Sequence, residues 1–209
     1  MASCKRPDAL TTISKVDCPV DFGQFVALLF QRAQPSPTFA SEAALKALAS
    51  WTPLLTATDG TKVIKTPLFA GFVVPGSEPQ YADENSNASI DGAGYFTGFN
   101  AVKATGTFSG IPSAVKSQLA LVQDESAAGL DPGMTFFGVL GDGRIVYDLD
   151  TSGSSSVIRG IPFSNFYVGS LQLDGYKAKN KNAFGLSLPG DWDKNIQVVQ
   201  PGFNPRTAL

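Results

Sequence analysis

The sequence contains no histidine. Histidine is the usual general base of hydrolases and a common metal ligand. Its absence excludes a Ser–His–Asp or Cys–His catalytic site, an H-E-x-x-H zinc site and haem held by a proximal histidine. Catalysis by carboxylates or by lysine is the chemistry that remains.

Charged residues are also scarce, at 16 % of the chain against about 25 % in an average globular protein. The 16 Lys and Arg residues are scattered, and 18 Asp and Glu residues leave a net charge of −2. A protein that binds nucleic acid usually presents a basic patch. The composition therefore predicts no specific binding of DNA.

Only two cysteines are present, Cys4 and Cys18. A zinc site built from thiolates alone needs four of them, so the count argues against a structural metal. Two reduced thiols and one disulfide closing a short loop both remain open. We predict no bound metal and no cofactor.

Long apolar runs are missing as well. The longest covers residues 25–30, far short of the roughly 20 residues of a membrane-spanning helix. Residues 1–8 lead into polar sequence rather than the apolar centre of a signal peptide. We therefore expect a soluble protein, made in the cytoplasm, that does not contact a membrane.

Glycine, proline and phenylalanine are plentiful, with 21, 14 and 15 residues in a chain of 209. The glycine and proline predict many turns, and an apolar content of 43 % argues against disorder. The length fits a single domain. We predict one mainly β domain over residues 1–209, a β-sandwich or part-open barrel with one or two flanking α-helices.

Two segments have helical patterns. Residues 41–51 are rich in Ala and Leu, with Glu42 in the first turn, and Pro53 is expected to end the helix. Residues 112–124 begin with Pro112, which suits a first helical position, and repeat apolar residues at spacings of four and three.

The other periodic segments predict strands. The clearest signal is a hairpin in which residues 135–140 and 144–147 flank the turn Gly141-Asp142-Gly143. Residues 22–32 also predict a strand, with a buried helix as the alternative, because their apolar residues follow neither period cleanly. The remaining predicted strands are 62–65, 68–74, 95–107, 158–163, 166–174, 183–188 and 196–200.

Three segments have no such pattern. Residues 1–21 and 201–209 are predicted to be irregular tails that become ordered only on assembly. Residues 75–94 form a polar stretch rich in Gly, Pro and acids. Loops this long are uncommon in compact domains and often carry interactions. We interpret 75–94 as an arm or an extended hairpin that orders against a neighbouring molecule.

The stretch Asp148-Leu149-Asp150-Thr151-Ser152-Gly153 resembles the start of a calcium-binding loop. Calcium loops of this type place oxygen ligands at alternate positions and end on a bidentate carboxylate at the twelfth. The twelfth position here is Arg159, which cannot supply that ligand. An ordinary hairpin turn is the favoured interpretation.

The stretch Asp191-Trp192-Asp193 brings two carboxylates close together, which could mimic a glycosidase pair. Pro189-Gly190 precedes it and indicates a turn, where exposed acids are common. We predict no catalytic, cofactor-binding or metal-binding residues. Some of the many aromatic residues, such as Phe96, Phe99 and Phe136, are candidates for facing a partner subunit, because interface cores are enriched in aromatics.

Five segments spread over most of the chain carry a family resemblance. They are Cys18-Pro19-x-x-Phe22-Gly23-Gln24, the helix 41–51, the arm 75–94, the Asp142-Gly143 hairpin and the ending Trp192…Pro201-Gly202-Phe203-Asn204-Pro205. With these segments the chain resembles the tail tube proteins of tailed bacteriophages. We therefore expect a structural protein of the virion rather than an enzyme.

The resemblance implies a β-sandwich or barrel flanked by a helix, in which each subunit joins five copies in a hexameric ring. Rings would stack through the arm and the termini into a conduit, and DNA would pass a mildly acidic lumen without specific binding. The protein would be assembled in the host cytoplasm and reside in the virion, beside other virion proteins.

Three alternatives stay open at this point. One is another virion component, such as a head decoration, connector or tail-terminator protein. A second is a β-sandwich that binds carbohydrate by stacking sugar on an exposed Trp51, Trp192 or Tyr95. A third is a hydrolase without histidine that uses Asp191 and Asp193.

Overall fold

The chain folds mainly into β-strands, in a computed structural model that describes residues 23–84, 93–151, 156–173, 175 and 179–209. The strands are β1 Phe25–Arg32, β2 Ile64–Lys65, β3 Phe69–Val73, β4 Pro79–Glu84, β5 Ala93–Phe99, β6 Val102–Ser109, β7 Met134–Leu140, β8 Ile145–Asp150, β9 Val157–Arg159, β10 Ile161–Gln172, β11 Lys181–Leu188 and β12 Ile196–Val199. The helices are α1 Glu42–Lys46, α2 Leu48–Thr56, α3 Ser113–Glu125 and α4 Pro205–Ala208. The prediction of a mainly β fold with few helices is confirmed.

Two antiparallel layers pack face to face and share the long strand β10. The strand order is β12-β8-β7-β10-β11-β6-β3, with β1 and β2 alongside β7 and with β9 alongside β8. The first residues of β10, Ile161–Phe163, pair with β7, while its later part pairs with β11. The sheet does not close into a barrel over the residues described, so the architecture is a β-sandwich.

The central strands β1 and β7 are buried on both faces. Phe30 and Phe136 point into the core between the layers, while their neighbours Leu29 and Phe137 point toward the helices α1 and α2. A strand covered on both sides needs apolar residues at nearly every position. This explains why residues 22–32 follow neither period cleanly, and it decides between the two interpretations in favour of a strand.

Aromatic rings fill the space between the two layers. Phe30 of one layer lies with its ring centroid 5.0 Å from both Phe163 and Phe166. In the other layer, Phe108 stacks on Phe184 at 4.3 Å. Aromatic pairs at these distances stabilise a core beyond the area that they bury.

The predicted helix 41–51 is wrong in its continuity and in its end. Ala47 has an extended backbone that separates α1 from α2. At this break the buried indole N–H of Trp51 donates to the carbonyl of Leu45 at 2.9 Å. Pro53 does not end the helix but lies inside α2, which continues to Thr56. The second predicted helix, 112–124, is confirmed as α3.

Two predicted strand boundaries are also wrong. Residues 95–107 form two strands in different sheets, separated at Asn100, whose backbone N–H donates to the carbonyl of Glu78 at 2.9 Å. The break expected near residue 165 occurs instead at Gly160, and β10 runs on to Gln172. Asn165 adopts a φ of 52° there and produces a bulge rather than a strand end.

The C-terminal segment 201–209 is not an irregular tail. Asn204 caps α4 by accepting a hydrogen bond from the N–H of Arg206 at 3.0 Å. The ammonium group of Lys65 donates to the carbonyls of Pro205, Arg206 and Leu209 at 3.1, 2.7 and 2.9 Å. This segment is therefore packed against the domain in a single subunit. The predicted tail 1–21 lies outside the described residues, which begin at Gly23.

We predict that Gly160→Ala lowers the free energy of unfolding by about 1–3 kcal/mol, the usual range for overpacking a core. A Cβ atom at Gly160 would lie 2.8 Å from the Cβ of Thr135 and 3.0 Å from the backbone nitrogen of Phe136. Urea unfolding followed by circular dichroism measures the change. Gly23→Ala is the control, because no atom of the described residues lies within 4 Å of its added Cβ. Equal stability of the two variants would contradict the prediction.

Candidate functional site

The acidic stretch at 148–153 is part of a β-hairpin in its described residues. Strands β8 and β9 pair, with Asp148 opposite Arg159 and Asp150 opposite Val157. Arg159 makes an ion pair with Asp150, with 3.1 Å between Nη1 and Oδ2. Ser152 and Gly153 lie outside the described residues. The pairing supports the hairpin interpretation, and no group of three or more metal-ligating side chains occurs in the described part of the chain.

Asp148 is half-buried beside a small cavity that Thr135, Arg159 and Gly160 also line. Burial raises the pKa of its carboxyl, and the charges of Asp150 and Asp191 raise it further, while Arg159 lowers it. A carboxylate with a raised pKa destabilises the fold once it is ionised.

Asp191 and Asp193 lie on a turn, as the preceding Pro189-Gly190 predicts. The backbone N–H of Trp192 donates to the carbonyl of Pro189 at 3.2 Å, and the backbone N–H of Lys194 donates to the backbone carbonyl of Asp191 at 3.1 Å. Both carboxylates are exposed, whereas Trp192 is half-buried and packs against the core between the layers. Catalytic carboxylates are usually buried in a cleft. Asp191 and Asp193 are both exposed, which gives no support to a catalytic pair.

The same turn holds the base of a hairpin formed by β4 and β5. The hydroxyl of Ser77 donates to the carbonyl of Gly190 at 2.6 Å. Gly190 also lies flat against Phe99, since a Cβ atom on Gly190 would come within 2.5 Å of the carbonyl oxygen of Phe99. These contacts fix the base of the hairpin to the domain.

The β4–β5 hairpin forms a separate two-stranded sheet. It lies within and just beyond the predicted arm 75–94, whose residues 85–92 are outside the described part of the chain. Tyr81 pairs with Phe96, and Ala82 pairs with Tyr95. The strands thus give the predicted arm a defined register on either side of that gap.

Three aromatic side chains form a cluster on this hairpin, which we call the aromatic cluster: Tyr81, Phe96 and Phe99. Phe96 lies 6.0 Å from Tyr81 and 5.2 Å from Phe99 between ring centroids, edge to face in both cases. Their exposed fractions are 46 %, 56 % and 49 %. Grouped exposed apolar side chains mark interaction surfaces, and a two-stranded hairpin is only marginally stable by itself. The aromatic cluster is the strongest candidate for a functional surface.

Strand edges provide a second candidate surface. β3 and β12 stand at the two ends of the strand order and pair on one side only among the described residues. Val73 of β3 is exposed, as is Leu68 just before that strand. Unpaired edges are templates for strand addition by another chain.

The sequence-predicted aromatic candidates separate into two groups. Phe96 and Phe99 are exposed, as expected for residues that face a partner. Phe136 was also a candidate, but it is buried in the core, because every position of β7 is covered. Trp51, the first sugar-stacking candidate, lies in α2 and is likewise buried, whereas Tyr95 is exposed.

Tyr81 is the member of the aromatic cluster that sequence reasoning missed. It lies in the polar stretch 75–94, which the sequence predicts as an arm or an extended hairpin without indicating an aromatic contact. The pairing of Tyr81 with Phe96 in the structure is what brings the two rings together. Cys4 and Cys18 lie outside the described residues.

The chain matches no protein-family model. It also matches no curated protein and no solved structure at a significant level. No helix in the described ranges is both long and apolar enough to cross a membrane. The function must therefore be argued from the surfaces of this chain and from its sequence.

We predict that Asp148→Asn raises the free energy of unfolding at pH 7, because the ionised carboxyl is disfavoured where it is half-buried. The wild type loses stability as the pH rises from the ordinary value of 3.8 through the raised pKa of the folded state. The advantage of the variant should therefore vanish below that range. Thermal unfolding from pH 3 to pH 8 measures it, with Asp193→Asn as the control for removing one negative charge. An advantage that is the same at every pH would contradict the assignment.

We predict that Gly190→Ala loosens the β4–β5 hairpin without unfolding the sandwich, because the added methyl group meets the backbone of Phe99. Amide hydrogen exchange in β4 and β5 should accelerate at least about tenfold, which corresponds to about 1.4 kcal/mol. Exchange in β6 and β11 should not change. Gly76→Ala is the control near the same hairpin, because its added Cβ meets no atom of the described part of the chain within 4 Å. Unchanged exchange in β4 and β5 would show that Gly190 does not anchor them.

Proposed function

We propose that this protein is a self-assembling structural subunit of a tailed-phage virion, a tail tube subunit that forms stacked hexameric rings around a DNA conduit. The observation that carries the proposal is the aromatic cluster on a hairpin whose base is fixed to the domain and whose aromatic side chains are about half exposed. The resemblance of the sequence supplies the tail tube as the particular assembly.

The cost of exposing the aromatic cluster supports self-association. Burying an apolar side chain stabilises a complex by about 25 cal/mol for each Å² removed from water. Tyr81, Phe96 and Phe99 are neighbours, so one docking event can cover all three. Aromatic anchors of this kind contribute most of the free energy of binding at protein interfaces.

The open edges of the sandwich support a ring in particular. β3 and β12 belong to different layers and differ in sequence, so pairing one edge with the other would join unlike surfaces. A contact between unlike surfaces is heterologous and closes into a ring when its rotation fits. The net charge of −2 suits a wall that DNA passes without being held.

The carbohydrate-binding alternative loses one of its three stacking candidates, because Trp51 is buried, whereas Trp192 is half-buried and Tyr95 is exposed. The hydrolase alternative depends on Asp191 and Asp193, which are exposed on a turn. The aromatic cluster and the open strand edges would serve equally well in another virion ring or decoration protein. The symmetry of the assembled particle separates that case from a tail tube.

The proposal is tested by native mass spectrometry and negative-stain electron microscopy of the purified protein over a range of concentrations. We expect rings and stacked tubes from a subunit of 22.0 kDa. Six subunits in each ring would support the tail tube, whereas another symmetry would favour a different virion component. A protein that stays monomeric at every concentration would contradict self-assembly and make a glycan screen the next experiment.

We predict that Phe96→Ser raises the concentration needed for ring formation at least about tenfold, equivalent to about 1.4 kcal/mol. The substitution removes the ring at the centre of the aromatic cluster. Because this side chain is 56 % exposed, the melting temperature of the monomer should change little. Leu130→Ser, which removes another exposed apolar side chain, is the control. Equal assembly of both variants would show that the aromatic cluster is not an interface.

A further inference from the structure

A groove of about 430 Å³ lies between α3 and the segment around β2. Its floor is apolar, formed by Leu119, Val122 and Met134, all of which are buried. Ile64 and Leu121 line it from the two sides and are 42 % and 65 % exposed. The groove therefore presents apolar side chains to solvent from both walls.

Basic side chains stand at the rim of this groove. The ammonium group of Lys62 has no hydrogen-bond or ion-pair partner in the described part of the chain. Lys65 also lines the groove, and its ammonium group donates to the backbone oxygens of Pro205, Arg206 and Leu209 in the C-terminal segment. The one acid of the lining, Glu125, is paired with Arg32 at 3.0 Å. Lys62 thus gives the rim a positive charge that no acidic side chain in the described part of the chain pairs with.

The segment that carries the aromatic cluster has the opposite charge. Residues 75–101 contain four acidic residues and neither lysine nor arginine. An apolar groove with a positive rim and an aromatic hairpin in an acidic segment are complementary in both polarity and charge. Complementary charge selects the partner and its orientation, while buried aromatic anchors supply affinity.

We propose that the aromatic cluster of one subunit docks into the groove between α3 and β2 of a second copy. This inference rests on the proposed self-assembly and names the two surfaces that meet. Phe96, at the centre of the cluster, would lie over the floor, and the described acidic residues Glu78 and Asp83 would lie on the side of Lys62. Because the docking hairpin and the receiving groove are different surfaces, each subunit both donates and receives, and the contact can propagate around a ring or along a tube.

The location is tested by placing the photo-crosslinking residue p-benzoylphenylalanine at position 96. Unlabelled crosslinker protein is assembled with ¹⁵N-labelled wild type and irradiated. Mass spectrometry then separates links between copies from links within one chain. We expect links between copies that map to α3 or to residues 62–65.

The energetic contribution is tested with Leu121→Asp against Leu130→Asp. Both side chains are more than half exposed, so neither substitution should unfold the subunit, which thermal unfolding verifies. Leu121→Asp puts a negative charge in the groove and should raise the assembly concentration at least about tenfold, equivalent to about 1.4 kcal/mol. Leu130 lies outside the groove lining, so Leu130→Asp should change the assembly concentration less than about twofold.

The outcomes separate the two proposals. If rings form but the links from position 96 map elsewhere, or if both aspartate variants assemble alike, the docking site is wrong and self-assembly stands. If the wild type forms no assemblies at all, self-assembly fails and the docking site fails with it.

Discussion

The fold depends on covering both faces of the two central strands, β1 and β7. Every position of β7 is buried, and β1 is exposed only at its last residue. One face requires the second sheet layer, which brings Phe108 and Phe184 over Phe30 and Phe136. The other face requires α1, α2 and the C-terminal segment, which close over Leu29 and Phe137. The rest of the domain is arranged to satisfy these two strands.

Dense aromatic packing also explains part of the high glycine content. A Cβ atom on Gly106 would lie within 2.6 Å of the ring of Phe184, and one on Gly185 within 2.9 Å of the ring of Tyr167. Large rings that lie flat on a sheet need an opposite position without a side chain. The glycines that predict turns in the sequence are therefore in several cases spacers inside strands, and this role has no period that a single sequence reveals.

Prediction from the sequence succeeds where local signals and packing agree. The β7–β8 hairpin follows from its Asp142-Gly143 turn, and α3 follows from Pro112 and the apolar spacing after it. It fails where side-chain contacts outside the local periodic pattern accompany the outcome. The indole of Trp51 bonds to the carbonyl of Leu45 at the break near Ala47, and Lys65 bonds to the segment 201–209 from far away in the sequence. The exposed Phe96 and the buried Phe136 both lie in aromatic strand sequences, so only the pairing of the strands separates surface from core.

The strand shared by both layers has a mechanical consequence. β10 is hydrogen-bonded to β7 at its start and to β11 along the rest of its length. A force that slides one layer across the other must break backbone hydrogen bonds together, in shear, rather than merely displace apolar side chains. Shear loading distributes the force over many bonds and resists rupture more strongly than peeling them one at a time. A pull applied to one sheet is therefore transmitted to the other through the continuous backbone of β10.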